Sequence, residues 1–570
     1  SVRMYSDVVR GSAYVDQTEA EIIEVQGAFE RWFASRLGIG PARVVQVLEA
    51  IHDGMQRGTE RMMPVVLGTA AQAKKAWKKG KAKVPNTRTP EDVALLTAFP
   101  DADTAWRAAF VQSMVALAPA LLPVGRDDLS IDPPLSEDEW AALVRLLGLI
   151  PDVRTGMTDP ADVRKHPLIV LPDDRVLLTE VSNACDVVWD VFEEAARQDP
   201  RFYDHYQKRR AAWLESRLVS HLQNVFPPDH VYSALTYPDP DKPAGATTEL
   251  DAAVKWGPFL ILAEAKAKQF RQASQRGDVA RLRSDIKANV AEAFQQAQRA
   301  LRYIRSVETA EFTEISTGRK LSFRVSEVRR TYLLAIPQHE LFGLTTRLAE
   351  LKDLGLFRDG EYPVAMSIAD LEVVTRFSPG PDVFLHYLER RTALQKHETV
   401  FRAEELDLFG AYLDSRLQTG RFTANGDDGA NMVWLSGFSE RFDEEFRSRH
   451  MGGPQPRIRL NVPPEIEAIL DELRTREDDA ARWISFSLLD MSDEGISTVA
   501  AAFRDLAQAE MMPNAFRRMA HQVDDTVIVV LAMRGLSVRM LQERTRARAE
   551  IDRLRAAGVV PLLVGGSGLY

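Results

Sequence analysis

The sequence predicts a multidomain α/β protein, and three observations carry that prediction. The chain has 570 residues, so at roughly 100–200 residues per domain about three or four domains are expected. Helical periodicity dominates as far as about residue 165, whereas short apolar runs typical of strands begin near residue 166 and alternate with helical patterns. The composition, 45% hydrophobic and 27% charged, is that of a globular protein and excludes wholesale disorder.

Composition and charge exclude several classes of protein. The single cysteine, Cys185, excludes a disulfide framework and a Cys-based zinc or iron–sulfur site, and it favours a reducing compartment. No apolar run approaches the roughly 18 residues of a membrane-spanning helix. The first residues, SVRMYSDVVRGS, lack the apolar segment of a signal peptide, so we expect a cytoplasmic protein with no membrane partner. The net charge of −10 argues against non-specific coating of nucleic acid but allows a local basic groove.

The pattern divides the chain into three domains and a linker. A helical N-terminal domain is expected over residues 1–165 and an α/β domain over residues 166–420. A linker rich in Gly, Asn, Asp and Pro is expected over 421–457, followed by a small C-terminal α/β domain over 458–570. The strand candidates are PLIVLP, RVLLTEV, LDAAVKW, FLILAEA, LSFRV, TYLLAI and YPVAMSI in the central domain, and WISFSLLDM, DTVIVVLAM and VVPLLVG in the C-terminal domain.

One segment, residues 247–270, contains the residues best suited to chemistry. Its strand candidates LDAAVKW and FLILAEA flank Gly257-Pro258, which is a turn signal. If the two strands form an antiparallel hairpin with an even-length loop, Asp251 lies opposite Glu264. The same register places Glu249 opposite Lys266. Residues two apart share a face and opposed Cβ atoms lie about 4.5–5.5 Å apart, so the four charges would converge.

Two carboxylates at that separation repel each other unless a cation lies between them. Oxygen ligands favour Mg²⁺ or Mn²⁺, and such an ion polarises a phosphodiester and lowers the pKa of a bound water. A lysine two residues beyond the second carboxylate, Lys266, is placed to orient or deprotonate that water and to stabilise the developing negative charge. The alternative is a surface hairpin with a ladder of cross-strand ion pairs, in which Glu249 pairs with Lys266.

Asp251 followed by Glu264-Ala265-Lys266 resembles the signature of the PD-(D/E)xK nuclease superfamily, and E-L-D…E-A-K is similar to its nuclease-related, NERD-like branch. The resemblance covers at most about residues 165–415 and departs from the usual pattern in having Leu250 where a proline often precedes the Asp. It implies a central restriction-endonuclease-like α/β domain.

The resemblance also implies roles for individual residues. Asp251 and Glu264 would bind the metal together with the carbonyl of Ala265, and Lys266 would be catalytic. A Glu on the preceding helix and a Gln on the following helix often complete such sites, which points to Glu215 and Gln298. Alternatively, Glu215 lies on a solvated helix face and Gln298 only flanks the apolar stripe of its helix.

Local charge favours a nucleic acid as the partner. Residues 264–305 contain ten basic and four acidic side chains, a net of +6 in a chain whose total is −10. A lysine cluster around Trp77 offers a second phosphate-binding surface, unless it is a solvated loop between helices. The candidate nucleic-acid-binding residues are Lys268, Arg271, Arg281, Lys287, Arg299, Lys78 and Lys79.

We therefore expect a Mg²⁺- or Mn²⁺-dependent nuclease that hydrolyses phosphodiester bonds, in DNA rather than RNA. A free nuclease is toxic, so gating by a regulatory protein partner or by homo-oligomerisation is expected, and analogy suggests a role in bacterial restriction or antiviral defence. Two alternatives remain open: a catalytically silent module that binds nucleic acid or a partner protein, and a structural scaffold.

Overall fold

A computed structural model describes residues 13–150, 160–243, 245–268, 279–341, 343–357, 360–397, 400–419, 432–508, 516–523, 526–533 and 560–566. The chain forms two compact units, Ser1–Arg209 and Arg210–Tyr570. Both helices and mixed sheets are present, as expected for a multidomain α/β protein with a helical N-terminal region. Among the helices of the described ranges, none has the length and apolar character needed to span a membrane.

The first unit is mainly helical. A long helix, α3 (Pro41–Ala82), packs along α5 (Ala102–Leu121). A capping box formed by Ser136 and Glu139 starts α6 (Glu137–Leu147). The other α-helices are α1 (Val15–Glu21), α2 (Glu30–Leu37), α4 (Pro90–Ala98), α7 (Pro160–Lys165), α8 (Val181–Arg197) and α9 (Pro200–Gln223). The boundary between the two units lies within α9. The strands are β1 (Gly148–Leu149), β2 (Leu168–Val170) and β3 (Val176–Leu178).

Cys185 lies in the core of this unit. It is fully buried on α8, and burial raises the pKa of its thiol, so it remains protonated and packs as a small apolar side chain.

The second unit is built around a seven-stranded sheet. Its strand order is β10-β9-β6-β5-β4-β7-β8, with β5 antiparallel to both β4 and β6, and β9 parallel to β6. The strands are β4 (Val231–Pro238), β5 (Thr247–Trp256), β6 (Phe259–Lys266), β7 (Thr309–Glu314), β8 (Lys320–Arg324), β9 (Arg330–Pro337) and β10 (Val364–Ala365).

A helical segment covers one face of this sheet. It consists of α10 (Val279–Ile286), a π-helical turn (Lys287–Ala291) and α11 (Glu292–Arg305). Alanines of α11 pack against Leu260 and Leu262 of β6 in one core cluster. Ile286 and Val290 pack against Ala335 of β9 in a second cluster. The buried face of α11 combines three alanines with Phe294, Tyr303 and Ile304, and its polar face is left for solvent.

The rest of the second unit is mostly helical, with two small sheets. Its helices are α12 (Ile368–Arg376), α13 (Pro381–Leu394), α14 (Glu405–Ser415), α15 (Glu440–Met451), α16 (Pro464–Arg474), α17 (Asp479–Asp490) and α18 (Asp493–Gln508). The sheets pair β11 (Val400–Arg402) with β12 (Met432–Trp434), and β14 (Thr526–Met533) with both β13 (Phe516–Val523) and β15 (Val560–Gly566).

One strand prediction in this region is wrong. WISFSLLDM lies in α17, whose first turn is capped by the Asp478 side chain accepting from the Ala481 N–H at 2.8 Å. Trp483 and Phe486 are both buried against Phe259 of β6. A helix that is apolar on nearly every side has no polar stripe, so periodicity alone could not separate it from a buried strand.

Two other segments also differ locally from the sequence prediction. YPVAMSI contributes only Val364–Ala365 to the sheet, because Ser367 accepts from the Asp370 N–H and caps α12. The described part of the segment predicted as a linker, residues 432–457, contains β12 and α15. Phe442 of α15 is buried against Phe409 of α14, so this helix belongs to the packed core.

Candidate metal and nucleic-acid site

The hairpin that carries the candidate catalytic residues has the predicted register. β5 and β6 pair from Trp256↔Phe259 to Ala252↔Ala263. The turn depends on Gly257, whose φ is +54°, and a Cβ at that position would lie 2.8 Å from Oδ1 of Asp479. Asp251 and Glu264 lie one position beyond the last pair of this ladder, Ala252↔Ala263.

The neighbouring strand is distorted at the level of Asp251. β4 and β5 pair on both sides of this level, through Ser233↔Ala252 and Leu235↔Leu250. Ala234, opposite Asp251, has a φ of +44°, and its carbonyl accepts from the Ile315 N–H at 2.9 Å. A left-handed non-glycine residue costs about 1–3 kcal/mol, and such strain concentrates at functional sites.

The side chain of Asp251 completes the hydrogen bonding between the two strands. Beyond Ala263, β6 continues with β9 as its ladder partner. The backbone N–H of Ala265 donates to Oδ2 of Asp251 at 2.8 Å. One oxygen of Asp251 is thereby fixed against the segment that carries Glu264, which orients the carboxyl group.

Glu264 is the most perturbed acid of the site. Its side chain is buried, with 1% of the residue exposed. Burial, and next the negative charge of Asp251, raise the pKa of Glu264 to about 8, while the positive charge of Lys266 opposes the shift. Its Oε1 is buried and has no hydrogen-bond partner within the described part of the chain. A buried carboxyl oxygen without a donor is costly unless something else binds it.

Lys266 lies directly against this acid. Its Nζ donates to Oε2 of Glu264 at 3.2 Å, and its side chain is 19% exposed. The C-terminal end of β6 is held by β9, where Lys266 pairs with Pro337 and the Lys266 carbonyl accepts from the Gln338 N–H at 3.2 Å. Lys266 therefore projects from a strand that is fixed on its β9 side.

Glu215 and Glu249 share the electrostatic environment of this pair. Burial raises the pKa of Glu215, the negative charges of Asp251 and Glu249 raise it further, and the positive charge of Lys266 lowers it. Glu215 is half-buried on α9, whereas Glu249 is exposed on β5. Glu215, on the helix that precedes the sheet, thus lies within electrostatic range of Asp251, Lys266 and Glu249.

The protein side chains supply only part of the ligand set that a small, hard cation needs. Within the described ranges, no three His, Cys, Asp or Glu side chains are arranged to hold a metal ion by themselves. Mg²⁺ is commonly bound by one or two carboxylates with water and substrate phosphate as the other ligands. Asp251 and the unpartnered Oε1 of Glu264 match that requirement, because both are oxygen donors held on adjacent strands.

Gln298 makes a different contact from the one the resemblance implies. Its Nε2 donates to Oε2 of Glu361 at 3.0 Å, on the exposed side of α11. The nearby Gln296 has a buried Oε1 without a donor among the described residues.

The candidate nucleic-acid contacts are placed unevenly. Lys268, Arg281 and Lys287 are exposed on the segment that follows β6 and on α10 and its π-helical turn. Arg299 lies on α11, 3.3 Å from Oδ2 of Asp241. Arg271 lies outside the described residues.

The lysine cluster belongs to the first unit. Lys78 and Lys79 are exposed on α3, so the cluster lies on a helix and not on a loop between helices. Trp77 is buried, and its Nε1 donates to the Phe99 carbonyl at 3.0 Å. Trp77 is therefore a core residue and offers no stacking surface.

Three polar groups of the site region escaped the sequence reasoning. Tyr237 of β4 is buried, and its hydroxyl has no hydrogen-bond partner in the described structure. Arg210 of α9 is buried and donates to the side chain of Gln338, at the end of β9. Asn289, in the π-helical turn, has a buried Oδ1 without a donor in the described ranges. Of these three features only the π-helical turn suggests function by itself, because such turns are frequent at functional sites. The sequence pattern does not distinguish a π-helical turn from an α-helix.

Comparisons with known proteins add no relative. No protein-family model, no curated protein and no solved structure matches this chain.

Proposed function

We propose that this chain is a metal-dependent nuclease that hydrolyses phosphodiester bonds, with DNA as the expected substrate. The observation that carries the proposal is the Asp251–Glu264 pair: two carboxyl groups on adjacent strands, one of them buried with an unpartnered oxygen, beside a lysine. Desolvated like charges of this kind are arranged where a cation is bound or where protons are moved.

The chain offers oxygen ligands for Mg²⁺ or Mn²⁺. Asp251 and Glu264 would hold the ion, with the Ala265 carbonyl as a further ligand implied by the family resemblance. When bound, the ion polarises the phosphodiester and lowers the pKa of a coordinated water. The Ala265 N–H keeps Asp251 oriented for this role, so the ligand position is set before the ion arrives.

Lys266 is the proposed catalytic residue. Its ammonium group lies against Glu264 and is partly exposed, so it is placed between the buried carboxyl group and the solvent from which substrate arrives. In the reaction it would orient the attacking water and stabilise the negative charge that develops on the phosphoryl oxygens. Glu215 would complete the site by accepting a hydrogen bond from water or by assisting ion binding.

A gated role in bacterial restriction or antiviral defence is part of the proposal by analogy alone. A regulatory protein partner or self-association would supply the gate.

Cleavage is the direct test. Wild type and Lys266→Ala are incubated with supercoiled plasmid, linear duplex, single-stranded DNA and RNA, each with Mg²⁺, Mn²⁺ or EDTA. Lys320→Ala is the matched control, because Lys320 is an exposed lysine of β8, at the edge of the same sheet.

The expected result is metal-dependent cleavage by wild type and Lys320→Ala, and at least about a hundredfold loss in Lys266→Ala. Cleavage that persists in Lys266→Ala would contradict the assignment of this site. Cleavage by none of the proteins, together with tight DNA binding that ignores EDTA, would favour the silent binding module.

A further inference from the structure

Two arginines of α11 share a single carboxylate on the loop between β4 and β5. Nη2 of Arg302 donates to Oδ2 of Asp241 at 2.6 Å, and Nε of Arg299 lies 3.3 Å from the same oxygen. Nη1 of Arg299 donates to the hydroxyl of Thr248 on β5 at 3.3 Å. The side chains are partly open to solvent, with Arg302 50% and Asp241 46% exposed.

The single Asp241 carboxylate does not neutralise both arginines and does not satisfy all their hydrogen-bond donors. Two positive charges face one negative charge, which leaves a net charge of about +1 at the surface. Nε of Arg299 is buried and makes no hydrogen bond to any described residue, although Asp241 is near. Guanidinium groups bind best to anions that present two or more oxygens, and a phosphate does so where a single shared carboxylate oxygen does not.

The loop does not need the Asp241 carboxylate for its shape. Oδ1 of Asp239 accepts from the Asp241 N–H at 3.0 Å, and the Asp239 N–H donates to the Ala246 carbonyl at 2.9 Å. Nζ of Lys242 lies 3.3 Å from Oδ2 of Asp239. These contacts form the turn from its own residues, so the side chain of Asp241 is free to leave the arginines without unfolding it.

The arginine pair borders the proposed metal site. Thr248 lies three residues before Asp251 on β5, which is about 10 Å along an extended strand. Tyr237 of β4 is paired with Thr248 in the ladder. Burial raises the pKa of Tyr237, the charge of Glu264 raises it further, and the charges of Arg299 and Arg302 lower it.

We infer that Arg299 and Arg302 form a binding site for a backbone phosphate of the nucleic acid, and that Asp241 occupies this site in the substrate-free protein. The inference rests on the proposed function, because it assigns the phosphate to the substrate. The separation from Asp251 means that this phosphate belongs to a nucleotide near the scissile bond and is not the scissile phosphate itself. Substrate displaces Asp241, so Asp241 competes with binding.

Binding measurements on the full chain test the inference. Affinity for short labelled duplex and single-stranded DNA is measured in EDTA, which prevents cleavage, over a series of salt concentrations. The variants are Asp241→Asn, Arg302→Gln and the double variant. Two matched controls carry the same charge changes nearby: Glu308→Gln, an exposed acid directly after α11, and Arg305→Gln, an exposed arginine at its end.

We expect Asp241→Asn to tighten binding about fivefold, and Arg302→Gln to weaken it about tenfold and lower the salt slope by about 1. In the Arg302→Gln background the gain from Asp241→Asn should shrink towards that of Glu308→Gln, because of the two arginines only Arg299 still contacts Asp241. Arg305→Gln should weaken binding by less than about threefold.

Equal effects of Asp241→Asn and Glu308→Gln on DNA affinity would mean that only the change in net charge matters, and this outcome would overturn the inference. A fall in the Tm of Asp241→Asn without a gain in affinity would overturn it too, because Asp241 would then be a structural ion-pair partner. If wild type cleaves DNA but these variants bind alike, the phosphate site fails and the nuclease stands. If they behave as expected but nothing is cleaved, the nuclease fails and the phosphate site stands.

Discussion

The backbone N–H of Ala265 donates a 2.8 Å hydrogen bond to the carboxylate of Asp251. The bond spans two strands just where their ladder ends, so it ties the first acid of the site to the tripeptide that carries the second acid and the lysine. The main chain thus orients the carboxyl group of Asp251 in the candidate site.

Asp251→Asn should remove cation binding without disturbing the fold. The amide oxygen of Asn can still accept from the Ala265 N–H, whereas the negative charge is lost. Mn²⁺ at about 100 times its Kd should stabilise wild type by about 2.7 kcal/mol, seen as a rise in Tm. The variant should show the wild-type Tm in EDTA and no rise with Mn²⁺ in a thermal-shift assay. An equal Mn²⁺ shift in both proteins would place the ion elsewhere.

Glu264→Gln should stabilise the metal-free protein while it abolishes cleavage. Burial, and next the charge of Asp251, raise the pKa of Glu264 to about 8, so the ionised form of this acid destabilises the fold. A neutral amide avoids that cost, and the gain in the free energy of unfolding should be about 1–3 kcal/mol. Urea denaturation in EDTA at pH 8 measures it. A loss of stability would mean that the Lys266–Glu264 ion pair outweighs the repulsion.

Gln298→Ala and Glu215→Gln should separate the two helix residues suggested by the family resemblance. Gln298 bonds to Glu361, so its removal should change kcat/KM by less than about threefold. The pKa of Glu215 depends on the charges of Asp251 and Lys266, so its neutralisation should lower kcat/KM by about tenfold or more. Cleavage assays at several Mn²⁺ concentrations provide the comparison. Similar losses in both variants would support the role that the resemblance implies for Gln298.

Two buried histidines should make the second unit sensitive to acid. Burial lowers the pKa of His386 and of His221 to about 4. His386 lies 3.0 Å from the Tyr412 hydroxyl and 3.3 Å from Asp490, and it accepts from Nε of Arg390. In the unfolded chain the two histidines bind protons near pH 6.5, whereas in the folded chain they stay neutral until about pH 4. The free energy of unfolding that they contribute is therefore lost as pH falls from about 6.5 towards 4.

As pH falls from 6.5 to 5, each histidine should lower the free energy of unfolding by about 1.5 kcal/mol, whereas Glu264, whose pKa is about 8 in the fold, should raise it by about 2 kcal/mol. The test is therefore the difference in free energy of unfolding between wild type and His386→Gln, measured by denaturant unfolding at each pH, which should change by about 1.5 kcal/mol over this range. Asp490, whose pKa is lowered by its contacts with His386 and Arg390, acts only below about pH 4 and does not interfere. A pH dependence unchanged in His386→Gln would contradict the neutral buried state.

The hairpin could be predicted because its determinants are local. Strands alternate their faces with a period of two, and Gly257-Pro258 sets the register, so the pairing as far as Ala252↔Ala263, one position before Asp251 and Glu264, follows from counting residues. The charge balance of α10 and α11 could be read in the same way. WISFSLLDM could not, because burial on nearly all sides removes the periodic signal that separates helix from strand.

The sequence by itself determined which groups carry the candidate chemistry: two acids and a lysine on a hairpin, followed by a basic helix. Only the tertiary structure decided their states. The pKa of Glu264 is raised because the sheet and its covering helix exclude water, and Gln298 bonds to Glu361. Arg299 and Arg302 contact Asp241, which lies far before them in the chain. Burial and long-range pairing depend on neighbours distant in the chain, and for this reason local patterns place a residue on a face but do not set its environment.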